Sequence, residues 1–163
     1  MSYLSKIHNF FKNLSTPKFI IIMTLLTFVI LIPFYPILHF LSSISKTPNA
    51  RPLAYPSLFI YKVFVGCIIA PICETLTSQT LIIYLVCKIH KLKNNNIIAI
   101  FISALLFGLG HYYSISYMFQ TFIVGILLAY SYVLYENKPE SPFWVVSAIH
   151  SLRNFISVAM MYF

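Results

Sequence analysis

Residues 59–87 read FIYKVFVGCIIAPICETLTSQTLIIYLVC, an apolar run interrupted by one lysine, one proline and one glutamate. With Ser57 as a candidate N-cap, the stretch from Ser57 to Cys87 would form a helix of about 46 Å at 1.5 Å per residue, against a hydrocarbon core of about 30 Å. Such a helix crosses a bilayer and must tilt, protrude or break. Pro71 marks the expected kink, because it offers no N–H to the carbonyl four residues earlier.

The rest of the chain agrees with a membrane setting. Of 163 residues 60% are hydrophobic and 9% charged, where a globular domain has about 45–50% and 25%. The three acids are Glu74, Glu136 and Glu140. A water-facing surface cannot be built from so few charges, which excludes a soluble enzyme, a disordered chain and a disulfide scaffold. The net charge of +8 sits in short clusters beside apolar runs, as in cytoplasmic loops. No basic patch interleaved with aromatics is present, so nucleic acid is not an expected partner. Cys67, Cys73 and Cys87 are odd in number and lack C-x-x-C spacing, and read as packing residues.

Working outward, the pattern predicts an all-α polytopic transmembrane helix bundle of about five spans. Residues 1–18 form a short amphipathic cytoplasmic helix, with Tyr3, Leu4, Ile7, Phe10, Phe11 and Leu14 on one face and Lys6, Lys12 and Lys18 among the polar positions. Residues 19–163 form the integral membrane domain. Its first span, Phe19 to about Ser42, is too long for the apolar core of a secretion signal and lacks a cleavage pattern; Pro33 and Pro36 bend it. A loop from Ser43 to Pro56 leads to the second span, and Lys88 to Asn96 form the next loop. The third span runs from about Ile97 to Tyr113 and the fourth from about Ile115 to Tyr135. Glu136 to Pro142 make a loop whose Ser141 and Pro142 read as N-cap and first helical residue, and the fifth span is Phe143 to Phe163. With the N-terminus inside, Lys6, Lys12, Lys18, Lys88, Lys91, Lys93 and Lys138 are cytoplasmic against Lys46 and Arg51 outside.

Ionisable residues within spans are functional candidates, because a charge at the bilayer centre costs about 2.5–3.5 kcal/mol on insertion scales. Glu74 lies just after Pro71, His111 near the end of the third span, and His150 and Arg153 in the fifth. Lys62 and His39 stand closer to span ends and can snorkel. His150 and Asn154 are four residues apart and share a helix face. Gly108 and Gly110, just before His111, allow close approach of another backbone or a substrate. A carboxyl at the depth of Glu74 either takes up a proton or pairs with a cation. Counted along straight helices, Glu74 and His111 lie about 20 Å from the cytoplasmic side and His150 about 10 Å, so tilt or a break is needed to unite them.

The order Ala70-Pro71-Ile72-Cys73-Glu74, Phe107-Gly108-Leu109-Gly110-His111 and His150-Ser151-Leu152-Arg153-Asn154 resembles the three motifs of the CPBP or Abi family. These intramembrane endopeptidases include CAAX prenyl endopeptidases and bacterial relatives linked to bacteriocin processing and immunity. The resemblance covers residues 59–163. It implies Glu74, His111, His150 and Asn154 as the catalytic set. The family's Glu-Glu-x-x-x-Arg box has Thr75 in place of its second Glu and Gln79 in place of its Arg, and Arg153 is a candidate for the lost cation.

Two chemistries remain open at this level. Without metal, Glu74 acts as general base, His111 positions the water, and His150 with Asn154 stabilises the oxyanion. Alternatively, zinc sits on His111, His150 and Glu74, as the family's metalloprotease label implies, although the H-E-x-x-H signature is absent and no second carboxylate remains as base. The expected partners are membrane lipid and a peptide substrate at or in the membrane, prenylated or bacteriocin-like. A non-catalytic immunity protein of the same fold, or a small ion- or proton-coupled carrier, would also use an embedded Glu and His cluster.

Overall fold

The structure is a computed structural model that describes residues 3–45, 58–89 and 95–162. The proposed N-cap Ser57, Lys46, Arg51 and the lysines Lys91 and Lys93 lie outside these residues. Among the described residues all regular structure is helical, in six helices: α1 Tyr3–Asn13, α2 Thr16–Ile44, α3 Phe59–Lys88, α4 Asn96–Gly110, α5 Ile115–Tyr135 and α6 Pro142–Tyr162.

Four of these, α2, α3, α5 and α6, are long and apolar enough to cross a bilayer. The third expected span, α4, has 15 residues and so measures about 22 Å, short of the hydrocarbon thickness. Its end is set by Gly110, after which His111 leaves helical geometry. Ser114 then caps α5, its side chain accepting from Tyr117 N–H at 3.2 Å. Pro142 opens α6 as expected, and Pro33 stands in a 3₁₀ turn, Ile32–Phe34, that interrupts α2 before Tyr35–Ile44 resumes.

Pro71, where a kink is expected, does not end α3. The helix is continuous from Phe59 to Lys88 and changes register instead: Lys62–Ile69 is π-helical, Ala70–Glu74 is α-helical, and Thr75–Leu81 is π-helical again. The physical reason lies in the hydrogen bonds. Ala70 N–H bonds to the Val65 carbonyl five residues back; the next π-type donor would be Pro71, which has none. The carbonyl left over belongs to Gly66. Asn154 of α6 supplies the missing donor, its Nδ2 donating to Gly66 O at 2.8 Å.

Between the helices, α4 and α5 meet at small residues. A Cβ on Gly108 would stand 2.8 Å from Phe122 Cβ, and one on Gly125 would stand 3.1 Å from Ala104 Cα, the close backbone approach that drives helix association in lipid. Phe19 and Met23 of α2, Ile83 of α3, Leu128 and Tyr135 of α5, and Val146 and Ile149 of α6 are fully buried. Outward residues such as Ile21, Leu25 and Val29 are exposed, the surface expected of a bundle solvated by acyl chains. On α1, Tyr3, Ile7 and Phe10 are exposed whereas Phe11 packs on the core.

Candidate functional site

Three helices deliver the candidate residues to one place. Glu74 closes the short α-helical stretch of α3, held between two π segments. His111 sits just beyond the end of α4, and its Nδ1 lies 2.7 Å from the Phe107 carbonyl. A carbonyl only accepts, so Nδ1 carries the proton and Nε2 of the neutral ring is left with a lone pair. That Nε2 is 3.5 Å from Glu74 Oε2. From α6, His150 Nε2 approaches the same oxygen at 3.6 Å. Both contacts exceed the 2.7–3.2 Å of an N–H···O hydrogen bond, so the carboxylate is flanked by two imidazoles without being consumed by either.

Depth counted on straight α-helices separated His150 from Glu74, yet the two side chains are in ion-pair range. Asn154 to Gly66 and His150 to Glu74 fix α3 and α6 as antiparallel neighbours. Phe107 is the spacer, its ring centroid 4.6 Å from that of His111 and 5.5 Å from that of His150. Tyr117 flanks His111 edge-on at 5.6 Å.

These groups face a cavity of about 450 Å³ lined by Lys62, Gly66, Ala70, Glu74, Phe107, His111, Tyr117, Thr121, His150, Arg153 and Asn154, among others. A second cavity of about 350 Å³ shares Tyr117, Arg153 and Asn154 with it and is otherwise lined by Phe28, Leu31, Gln120, Ser157, Met160 and Met161. Arg153 therefore stands in the partition, with its guanidinium carbon 5.3 Å over the Phe28 ring.

The four expected catalytic residues and Arg153 are thus brought together. Thr75 and Gln79 are not: both are fully buried in the packing of α3 and neither lines either of these two cavities. One N–H of the Asn154 amide is spent on α3, which leaves its second N–H for the cavity that the residue lines. Lys62 and Tyr117 were not singled out as site residues by their sequence context. The signal for the Asn154 contact was Pro71, whose absent N–H orphans a carbonyl upstream.

A catalytic zinc needs three protein ligands about 2.0–2.2 Å from one centre with an open fourth position. Among the described residues no group of three His, Cys, Asp or Glu side chains is arranged to hold a metal ion. Glu74 is also the sole carboxylate on any apolar span, and a ligand role would leave none for proton transfer. The donor set does not fit a catalytic zinc.

Compared with known families, residues 56–156 match the type II CAAX prenyl endopeptidase Rce1-like family. The chain belongs to that family. The Rce1-like match spans all three motifs, from before α3 to just past Asn154. It makes the protein a member of a family of CAAX-type intramembrane proteases and agrees with the apolar helices in assigning it to a membrane. No curated protein and no solved structure matches the chain.

Proposed function

We propose that the protein is a multi-pass intramembrane endopeptidase that cleaves a membrane-associated peptide by a water activated at Glu74. The observation that carries this is one carboxylate oxygen, Glu74 Oε2, flanked at 3.5 and 3.6 Å by two imidazole nitrogens on the wall of a cavity inside the bundle. Glu74 takes one proton from water while His111 Nε2, whose lone pair is fixed by the Nδ1–H bond to Phe107, accepts a hydrogen bond from the O–H that remains and orients the oxygen. The water adds to the scissile carbonyl. His150 Nε2–H and the second N–H of Asn154 stabilise the oxyanion, a contribution of about 10²–10³ in rate per donor at such sites. Collapse breaks the C–N bond, and the proton held by Glu74 passes to the leaving amine. Arg153, in the same wall, adds positive potential that favours the developing oxyanion and serves as the cation that Gln79 cannot be.

The setting and the family match support a peptide substrate held at or in the bilayer, prenylated or bacteriocin-like, that reaches the cavity from lipid. Residues 1–18 lie at the interface and residues 19–163 span the cell membrane with the N-terminus in the cytoplasm. Lys138 Nζ donates to Leu14 O at 3.3 Å and Thr16 donates to Glu140 at 2.8 Å, so Lys12, Lys18 and Lys138 belong to one end of the bundle, which supports that orientation.

Purified protein in detergent or nanodiscs, assayed on lipidated peptides, tests the reading. Glu74→Gln is expected to lower kcat by at least about 10³ with folding intact, and chelators are expected to leave the wild-type rate unchanged. If no peptide is cut and a cellular phenotype survives Glu74→Gln, a binding or immunity role replaces the protease.

A further inference from the structure

Lys62 is a cation in an apolar helix, and among the described residues no anion pairs with it. The residue is 9% exposed, and its Nζ stands over the Tyr162 ring, 5.2 Å from the centroid. The sequence holds three side-chain carboxylates. Glu136 and Glu140 follow α5 at the opposite end, where Glu140 accepts from Thr16, and Glu74 is engaged by His111 and His150. Among the described residues Lys62 forms no ion pair. A cation on a mostly buried residue of an apolar span is costly unless a counter-charge or water reaches it. Lys62 nevertheless lines the same cavity as Glu74.

We propose that Lys62 is a specificity-determining residue that binds a carboxylate of the peptide substrate, at the end of the cavity away from the bond that is cut. The proposal rests on the protease reading above and names the charge its substrate must carry. Position follows from the helix. Lys62 and Glu74 are 12 positions apart on α3, at most about 18 Å along the axis, and Nζ lies toward Tyr162, at the end of α6 remote from His150. An extended peptide advances about 3.3 Å per residue, so the carboxylate lies about five residues from the scissile bond. It comes either from an acidic side chain or from the free C-terminus, two sources with the same chemistry. A charge-assisted bond to the ammonium of a mostly buried lysine is strong enough to select between acid and amide.

The test uses the full chain in zwitterionic nanodiscs and a fluorescent, N-terminally lipidated ten-residue peptide with no other charge. It is made as the free acid, as the C-terminal amide, and as the amide bearing one internal Glu. Binding is read by anisotropy in the Glu74→Gln background, so that turnover does not intervene. At least one acidic peptide is expected to bind about tenfold more tightly than the neutral amide, and which one does so identifies the source of the carboxylate. Lys62→Met is expected to reduce that preference to less than about twofold, and Lys62→Arg to keep it. Equal binding of all three peptides to protein with Lys62, or an unchanged preference in properly folded Lys62→Met, overturns the proposal. So does a Lys62-dependent affinity for phosphatidylglycerol nanodiscs with no peptide preference, which would make lipid phosphate the counter-ion. Failure of protein with Glu74 intact to cut a peptide that it binds through Lys62 would sink the protease reading and leave the carboxylate site standing.

Discussion

Asn154 Nδ2 donates a 2.8 Å hydrogen bond to the Gly66 carbonyl, the one that Pro71 cannot satisfy in the π register of α3. The contact makes Asn154 a clamp between α6 and α3 as well as a neighbour of the reacting groups. Asn154→Leu removes the donor and leaves a carbonyl without its partner, a loss of about 1–3 kcal/mol. Asn154→Leu is therefore expected to lower both thermal stability and activity, and Pro71→Ala, which restores a backbone donor, to recover stability in the double variant. Melting followed by a thiol-reactive dye on buried Cys67, with exposed Cys73 replaced by Ser, measures this. Additive losses in the double variant would contradict the shared-carbonyl account.

The two glycines before His111 are predicted to behave differently. A Cβ at Gly108 would meet Phe122 Cβ at 2.8 Å and the Met118 carbonyl at 2.9 Å, whereas one at Gly110 meets nothing within 4 Å. Gly108→Ala forces α4 from α5 at a cost of about 1–3 kcal/mol and shifts His111 relative to Glu74. Gly110→Ala is expected to melt like the unsubstituted protein. The same thiol-reactivity melt compares them, and equal effects would show that the close approach at Gly108 is not rigid.

At the opposite end of the bundle, the Thr16 hydroxyl donates to Glu140 at 2.8 Å and holds that carboxyl below the usual carboxylate range. A depressed folded value means that the contact stabilises the fold above the ordinary carboxylate pKa, near 4.3, and is lost as pH falls through the lowered value. Glu140 is exposed, so the effect on stability is small, but the titration itself is readable. Thr16→Val is expected to move the Glu140 carboxyl upward, followed by carbon NMR on glutamate-labelled protein between pH 2 and 6. An unmoved titration would mean that the hydroxyl does not bond the ionised form.

How much of this was legible in the sequence depends on the kind of residue. Glu74, His111, His150 and Asn154 stood out because polar groups in apolar helices are conspicuous, and their convergence is what the three motifs imply. The membrane class followed from composition, and the start of α6 from Ser141 and Pro142. The register of α3 did not follow. Fifteen residues of that helix, in segments of eight and seven, are π-helical, and no propensity rule distinguishes them from α-helix. Depth counted along straight helices also misjudges where His150 meets Glu74. The short α4 was overlong in the sequence reading for a related reason: Tyr112 and Tyr113 are as apolar as a span demands, and only the backbone at His111 shows where the helix stops.

Thr75 and Gln79 occupy the positions where the Glu-Glu-x-x-x-Arg box has its second Glu and its Arg, and both are fully buried. Among the described residues Thr75 Oγ1 and both amide atoms of Gln79 have no hydrogen-bond partner. Groups in that state cost about 1–3 kcal/mol each relative to an apolar replacement of the same shape, so Gln79→Met is expected to raise the melting temperature. Restoring the box tests the same pocket with charge. Thr75→Glu alone places an uncompensated carboxylate in the packing, expected to cost about 3–5 kcal/mol. Gln79→Arg alone strands a guanidinium. The two positions are four apart on one helix, Glu before Arg, the favourable order for a pair. The double variant is therefore expected to regain much of what each single variant loses, a coupling of about 0.5–3 kcal/mol in a double-mutant cycle. If the cycle closes with no coupling, the two side chains do not share an environment, and the buried polar pair in α3 is two separate defects.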